Sequence, residues 1–147
     1  MISYKLEIKG LPPKKDISLS MWNDKKKPNQ IQRLIELRKE AKKKIKGIIK
    51  KNIVLDLRVY IPKRKNQISE GDLDNYISGI CDGLMLASKS IPDISKEFEN
   101  YEGIHPRIHT FIKDDCEIVQ ITARKIALDN IEEHYQLIIQ GEEEELT

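Results

Sequence analysis

Ile53-Val54-Leu55-Asp56-Leu57-Arg58-Val59-Tyr60-Ile61-Pro62 is the stretch on which the fold turns. Successive side chains in a strand point to opposite faces, so Ile53, Leu55, Leu57, Val59 and Ile61 share one side and Val54, Asp56, Arg58 and Tyr60 the other. The near-continuous apolar character predicts a central strand. Pro62 stops it, because proline cannot donate to a ladder. Upstream, Ile31, Leu34, Leu37, Ala41, Ile45 and Ile48 recur at helical spacing and predict an amphipathic helix over residues 29–50, with Asn29 as its N-cap. Downstream, a basic loop leads into Gly71-Asp72-Leu73-Asp74-Asn75, and Leu73, Ile77, Ile80, Cys81 and Leu84 predict a second helix over residues 73–87. Cys81 falls on its apolar face and reads as a core residue.

The ends of the chain fill in the sheet. Tyr4, Leu6 and Ile8 alternate with polar residues over 3–9, and Gly10-Leu11-Pro12-Pro13 closes that strand. Residues 14–28 read as a lysine-rich loop around Trp22, which either stacks on a base or caps the core. Residues 88–110 have no strong period and predict a loop or a short extra helix. Residues 111–126 predict one or two strands, with Asp114-Asp115 near a turn. A closing helix is expected over 129–140, capped by Asp129, with a strand over 135–139 as the rival. The expected whole is one α+β domain over residues 1–141, a mixed sheet packed against a long basic helix and a second helix carrying the acidic motif. Residues 142–147 are expected to be a disordered acidic tail.

Charge is distributed unevenly. Residues 1–65 carry 20 Lys and Arg against 6 Asp and Glu, and residues 66–147 carry 6 against 18, so halves of +14 and −12 sum to the net +2. Such asymmetry points to a polyanion-binding surface, or to two halves that attract each other in the fold. Lys39, Lys42, Lys43 and Lys46 on the long helix, with Lys63, Arg64 and Lys65 ahead of the acidic motif, are the candidate phosphate contacts. No run approaches the ~18 apolar residues a membrane span needs, and no secretory layout opens the chain. The two cysteines, Cys81 and Cys116, have no paired-ligand spacing and fit a reducing cytoplasm.

The carboxylates carry the chemistry. Asp72 and Asp74 flank Leu73 at a helix start, and Asp115 comes later beside Asp114. Carboxylates held together repel, and a hard divalent ion removes that conflict. Such an ion would polarise a phosphodiester and activate water for hydrolysis. Asp82 shares a helical side with Asp74 but lies eight residues on, about 12 Å along the axis, and is expected to be structural or substrate-facing. His105, His109 and Cys116 form no complete four-ligand zinc set. Nucleophile-elbow, P-loop and dinucleotide glycine patterns are absent.

These pieces, in this order, resemble the RusA-like Holliday-junction resolvases. The resemblance is carried by an N-terminal strand running into Gly10-Leu11-Pro12-Pro13-Lys14, a long basic helix and a strand ending near Pro62, then by Gly71-Asp72-Leu73-Asp74-Asn75, by Asp82-Gly83-Leu84, and by Asp114-Asp115-Cys116-Glu117-Ile118-Val119 followed by Ala123-Arg124-Lys125. By order of elements it spans residues 3–125; close matching is confined to two short segments. It implies a homodimeric endonuclease, dependent on Mg²⁺ or Mn²⁺, that resolves branched DNA by paired nicks. On it, Asp72, Asp74 and Asp115 are the catalytic, metal-binding aspartates, with Asn75, Asp114 and Lys113 in support. The family often has a lysine where this chain has Ser78; Lys113 or the Lys63–Lys65 loop is the candidate substitute. Two other readings stand beside it: a junction-binding module that has lost the chemistry, and a protein-interaction scaffold whose basic and acidic halves pair between subunits.

Overall fold

The central stretch forms a longer strand than its alternation suggests. In the computed structural model, which describes residues 1–15, 21–22, 28–63, 73–87 and 94–144, strand β2 runs Ile48–Pro62. It is preceded by β1 (Ile2–Lys9) and helix α1 (Pro28–Lys44), and followed by helix α2 (Leu73–Leu84), β3 (Ile118–Leu128) and β4 (His134–Glu144). Short 3-10 turns at Lys96–Asn100 and Asp115–Glu117 interrupt the connection from α2 to β3. The sheet order is β1-β4-β2-β3. β4 runs antiparallel to both β1 and β2, and β3 runs parallel to β2. The described residues thus form a single small α+β domain with a mixed four-stranded sheet and two α-helices.

A parallel pair needs a crossover connection, and α2 is that crossover. Ile53, Leu55, Leu57, Val59 and Ile61 are buried on one face of β2, under Leu37, Ala41, Tyr76 and Ile80 from the two helices. A second cluster forms around α1 from Ile31, Leu34 and Ile35 with Trp22, Ala87, Phe98 and Ile104. Between the clusters lies Arg38, with none of its surface exposed. Its Nε donates to the Ile104 carbonyl at 2.6 Å, its Nη1 to that of Gly83 at 2.8 Å, and its Nη2 to that of His109. The guanidinium also lies over the rings of Trp22 and Phe111, at 5.4 and 4.9 Å. Arg38 therefore fastens residues 104–109 and the end of α2 to α1, and it is not part of a solvent-facing basic stripe.

Three expectations from the sequence are corrected. The helix expected over 29–50 ends at Lys44, because Ile48–Lys51 pair with Glu142–Glu144 of β4. Gly47 makes that approach possible: a Cβ there would collide with the Glu144 carbonyl, and its N–H donates to Glu143 Oε1 at 2.9 Å. The closing helix over 129–140 does not form; the rival strand over 135–139 does, lengthened to β4, in which Tyr135, Leu137 and Ile139 alternate inward between two strands. Asp129 is the first residue of a turn rather than a cap, and Asn130 takes φ +55° there. The acidic tail expected from Glu142 is strand through Glu144; Glu143 accepts a 2.5 Å hydrogen bond from Tyr4, and Glu142 one from Asn52. Residues 145–147 lie outside the described residues.

Candidate functional site

The helices leave β3 partly uncovered, and the candidate site lies in the groove between α2 and that strand. Ile121 is 48% exposed although it shares a face with core residue Leu55. The groove, about 310 Å³, is lined by Ile77, Ser78, Cys81 and Asp82 from α2, by Asp115, Ile118 and Ile121, and by Lys15. α2 returns antiparallel to the two strands it joins, so its C-terminal half meets the start of β3. That topology brings Asp82 beside Asp115.

Asp115 opens the 3-10 turn ahead of β3. Asp114 caps that turn by accepting the Cys116 N–H at 3.0 Å, which, with hydrogen bonds from Asp115 and the Cys116 side chain, holds its carboxyl below the ordinary carboxylate value. Asp115 is pushed the other way, first by desolvation in the groove and then by the hydrogen bond and charge of Asp114 and the charge of Asp82. Like charges crowded together disfavour ionisation. Lys15 Nζ meets Asp82 Oδ2 at 2.9 Å from the far side.

Asp74 is exposed in the first turn of α2 and accepts the Asn75 N–H at 3.0 Å, a favourable place for a carboxylate at a helix N-terminus. It does not line the groove; Ser78, one turn on, does. Asp72 lies outside the described residues, as do Arg64 and Lys65. Lys63 ends exposed at the tip of β2, its N–H donating to the Leu128 carbonyl at 3.0 Å. Asn75 offers its carbonyl to the Lys15 N–H at 3.1 Å, which ties the acidic motif to the loop after β1. Lys113 is exposed and is held through its N–H by the Ile49 carbonyl, and it is not a groove residue.

Sequence patterns name Asp82 only as structural or substrate-facing, and they do not single out Lys15. Axial distance from Asp74 argues against Asp82, but that measure is blind to β3 closing on the far end of the helix. Nothing in the sequence marks Lys15 among its neighbouring lysines; only the packing of residues 11–15 does.

Lys42 and Lys43 on α1, and Lys46 just after it, are exposed, and Lys39 is half-buried. Lys39 lies over the Tyr101 ring at 5.0 Å, and Lys42 Nζ donates to the Glu102 carbonyl at 2.7 Å. Lys43 is 3.8 Å from Glu40. Trp22 is buried beside Arg38, which fits the core-capping reading and not base stacking. A larger cavity, about 590 Å³ between β1 and the entry to β4, contains none of the motif residues.

Among the described residues, no three His, Cys, Asp or Glu side chains are grouped closely enough to hold a metal ion. The groove itself supplies two carboxylates. Burial pushes the Cys81 thiol up to about 12, so it stays protonated and offers no thiolate at neutral pH. A hard-oxygen set with a like-charge conflict suits Mg²⁺ or Mn²⁺ far better than zinc. No described helix is long and apolar enough to cross a membrane. Compared with known proteins, the chain matches no protein-family model and no curated protein.

Proposed function

We propose that this chain is a divalent-metal-dependent endonuclease that cuts branched DNA, resolving four-way junctions by paired nicks as a homodimer. The observation that carries the reading is the meeting of Asp115 with α2, the helix that starts at the Asp72-x-Asp74 motif, in a groove that also holds Asp82 and Lys15. Two segments on which the resemblance to RusA-like resolvases rests, far apart in sequence, become neighbours in space. A divalent ion held there, Mg²⁺ or Mn²⁺, would supply the charge that a phosphodiester needs for attack by water.

The chain's own residues divide the remaining work. Asp72, Asp74 and Asp115 are the proposed metal-binding and catalytic carboxylates, with Asp82 added by the geometry and Asp114 fixing the turn that presents Asp115. Ile77, Ile118 and Ile121 give the groove an apolar lining beside the carboxylates. Lys63, Arg64 and Lys65, with Lys39, Lys42, Lys43 and Lys46, are the proposed backbone contacts. A twofold pair of such grooves matches the symmetry of a four-way junction.

The test is substitution. Asp74→Asn and Asp115→Asn should each lower cutting by about 100-fold or more while junction binding in Ca²⁺ persists. Normal cutting by either variant would remove that residue from the site. One observation favours a binding module of the same fold: the described groove holds two carboxylates, not three. That reading expects salt-sensitive junction binding with no metal-dependent product.

A further inference from the structure

The segment that delivers Lys15 is built more rigidly than a surface lysine requires. Gly10 turns out of β1 with φ +88°, its N–H donating to the Glu133 carbonyl at 2.8 Å. Leu11, Pro12 and Pro13 are buried, and the two prolines restrict the backbone. Arg33 Nη1 donates to the Pro12 carbonyl at 3.4 Å, and the Lys14 N–H to Gln30 Oε1 at 2.8 Å, both from α1. The Lys15 N–H is held by the Asn75 carbonyl of α2 at 3.1 Å. Gly79 completes the seat: a Cβ there would run into the Pro13 carbonyl, so the helix is notched where the loop crosses it. Both helices thus fix the backbone from which Lys15 reaches into the groove.

Lys15 is also the one cation among the described residues that line this groove. Its side chain is 35% exposed and that of Asp82 18%, so the pair is half-shielded from water. A partly exposed ion pair of this kind stabilises a fold little and does not by itself explain the construction around it.

We infer that Lys15 is the phosphate-contacting cation of the site, and that its pairing with Asp82 is the resting arrangement. This rests on the nuclease reading given above. In the resting protein Nζ neutralises Asp82 beside Asp115. When a divalent cation takes the carboxylates, Nζ turns to a phosphate oxygen of the DNA, a short swing for a side chain with a fixed backbone. Metal and Lys15 therefore compete for Asp82, and removing the lysine's charge has two opposite effects. It tightens metal binding and weakens the hold on DNA.

The experiment uses the full chain with Lys15→Gln, Lys15→Arg and Asp115→Asn. Mn²⁺ is titrated calorimetrically without DNA, and binding of a four-way junction in Ca²⁺ is followed across salt concentrations. Lys15→Gln should bind Mn²⁺ about 2- to 5-fold more tightly than the native chain. Its log–log salt slope for junction binding should be smaller by about 1, and Lys15→Arg should restore that slope. If Lys15→Gln alters neither Mn²⁺ affinity nor salt slope, while Asp115→Asn abolishes Mn²⁺ binding, the metal site stands and the Lys15 assignment is overturned. If the native chain and Asp115→Asn are equally indifferent to Mn²⁺, the nuclease reading fails and Lys15 falls with it.

Discussion

Asp115 carries the clearest electrostatic conflict among the described residues. Its folded-state pKa is raised, so the fold favours the protonated carboxyl. The sign follows from linkage: the favourable contribution is present below the ordinary carboxylate pKa and is lost as pH rises through the raised value. Asp115→Asn should therefore melt higher than the native chain at neutral pH without metal. The gap should close as the pH falls below the carboxylate range, and a saturating divalent ion should close it at neutral pH. Thermal melts with and without Mg²⁺ between about pH 3 and 8 check this; a variant that melts lower at neutral pH would deny that desolvation, and then Asp114 and Asp82, disfavour the charged Asp115. Arg38 makes the opposite case, a charge the fold needs. Arg38→Met would leave the carbonyls of Ile104, Gly83 and His109 without their donor, a loss of more than about 3 kcal/mol by denaturant titration. Lys at that position cannot reproduce the fork and should rescue little.

The elements differ in how far the sequence discloses them. β1, the 53–62 part of β2 and the start of α2 are legible because their apolar spacing matches a single period and proline or glycine punctuates them, whereas α2 ends at Leu84 and not at residue 87. α1 is overextended in the sequence pattern, because Ile45 and Ile48 keep helical spacing while the sheet captures the chain from Ile48 onward. β4 reads as a helix because Ile131, Tyr135 and Ile138 mimic a helical stripe; the inward set is Tyr135, Leu137 and Ile139, and pairing to two neighbours outweighs local propensity. Asp115 can be named from sequence because a paired acid before a strand is visible, whereas Asp82 and Lys15 depend on which end of α2 meets β3. The notch at Gly79 belongs to this scale. Gly79→Ala should cost about 1–3 kcal/mol by forcing the Pro13 carbonyl away, and it should lower cutting together with stability, since Lys15 moves with the loop. Full stability with Ala there would mean the loop yields freely.

At the scale of the molecule, the charge split acquires a geometry. The acidic half contributes Glu142–Glu144 to the sheet beside Ile48–Lys51, so backbone pairing brings an acidic segment alongside Lys50 and Lys51. Lys42 and Lys43 on α1 and Lys46 just after it remain exposed, and they are the proposed contacts to a phosphate backbone. Replacing Lys43 and Lys46 with Ala should lower the salt slope of junction binding by about 0.9 for each phosphate no longer neutralised, measured by equilibrium binding in Ca²⁺. An unchanged slope would return the lysines to the role of a solvated face. The measurement that tests the central claim most directly is cutting of a labelled mobile four-way junction beside a matched linear duplex, each with Mg²⁺ or EDTA, by the native chain and Asp115→Asn. The account predicts paired symmetric nicks in the junction alone, with Mg²⁺ alone, abolished in Asp115→Asn. An uncut junction, or equal cutting by native chain and variant, would contradict it.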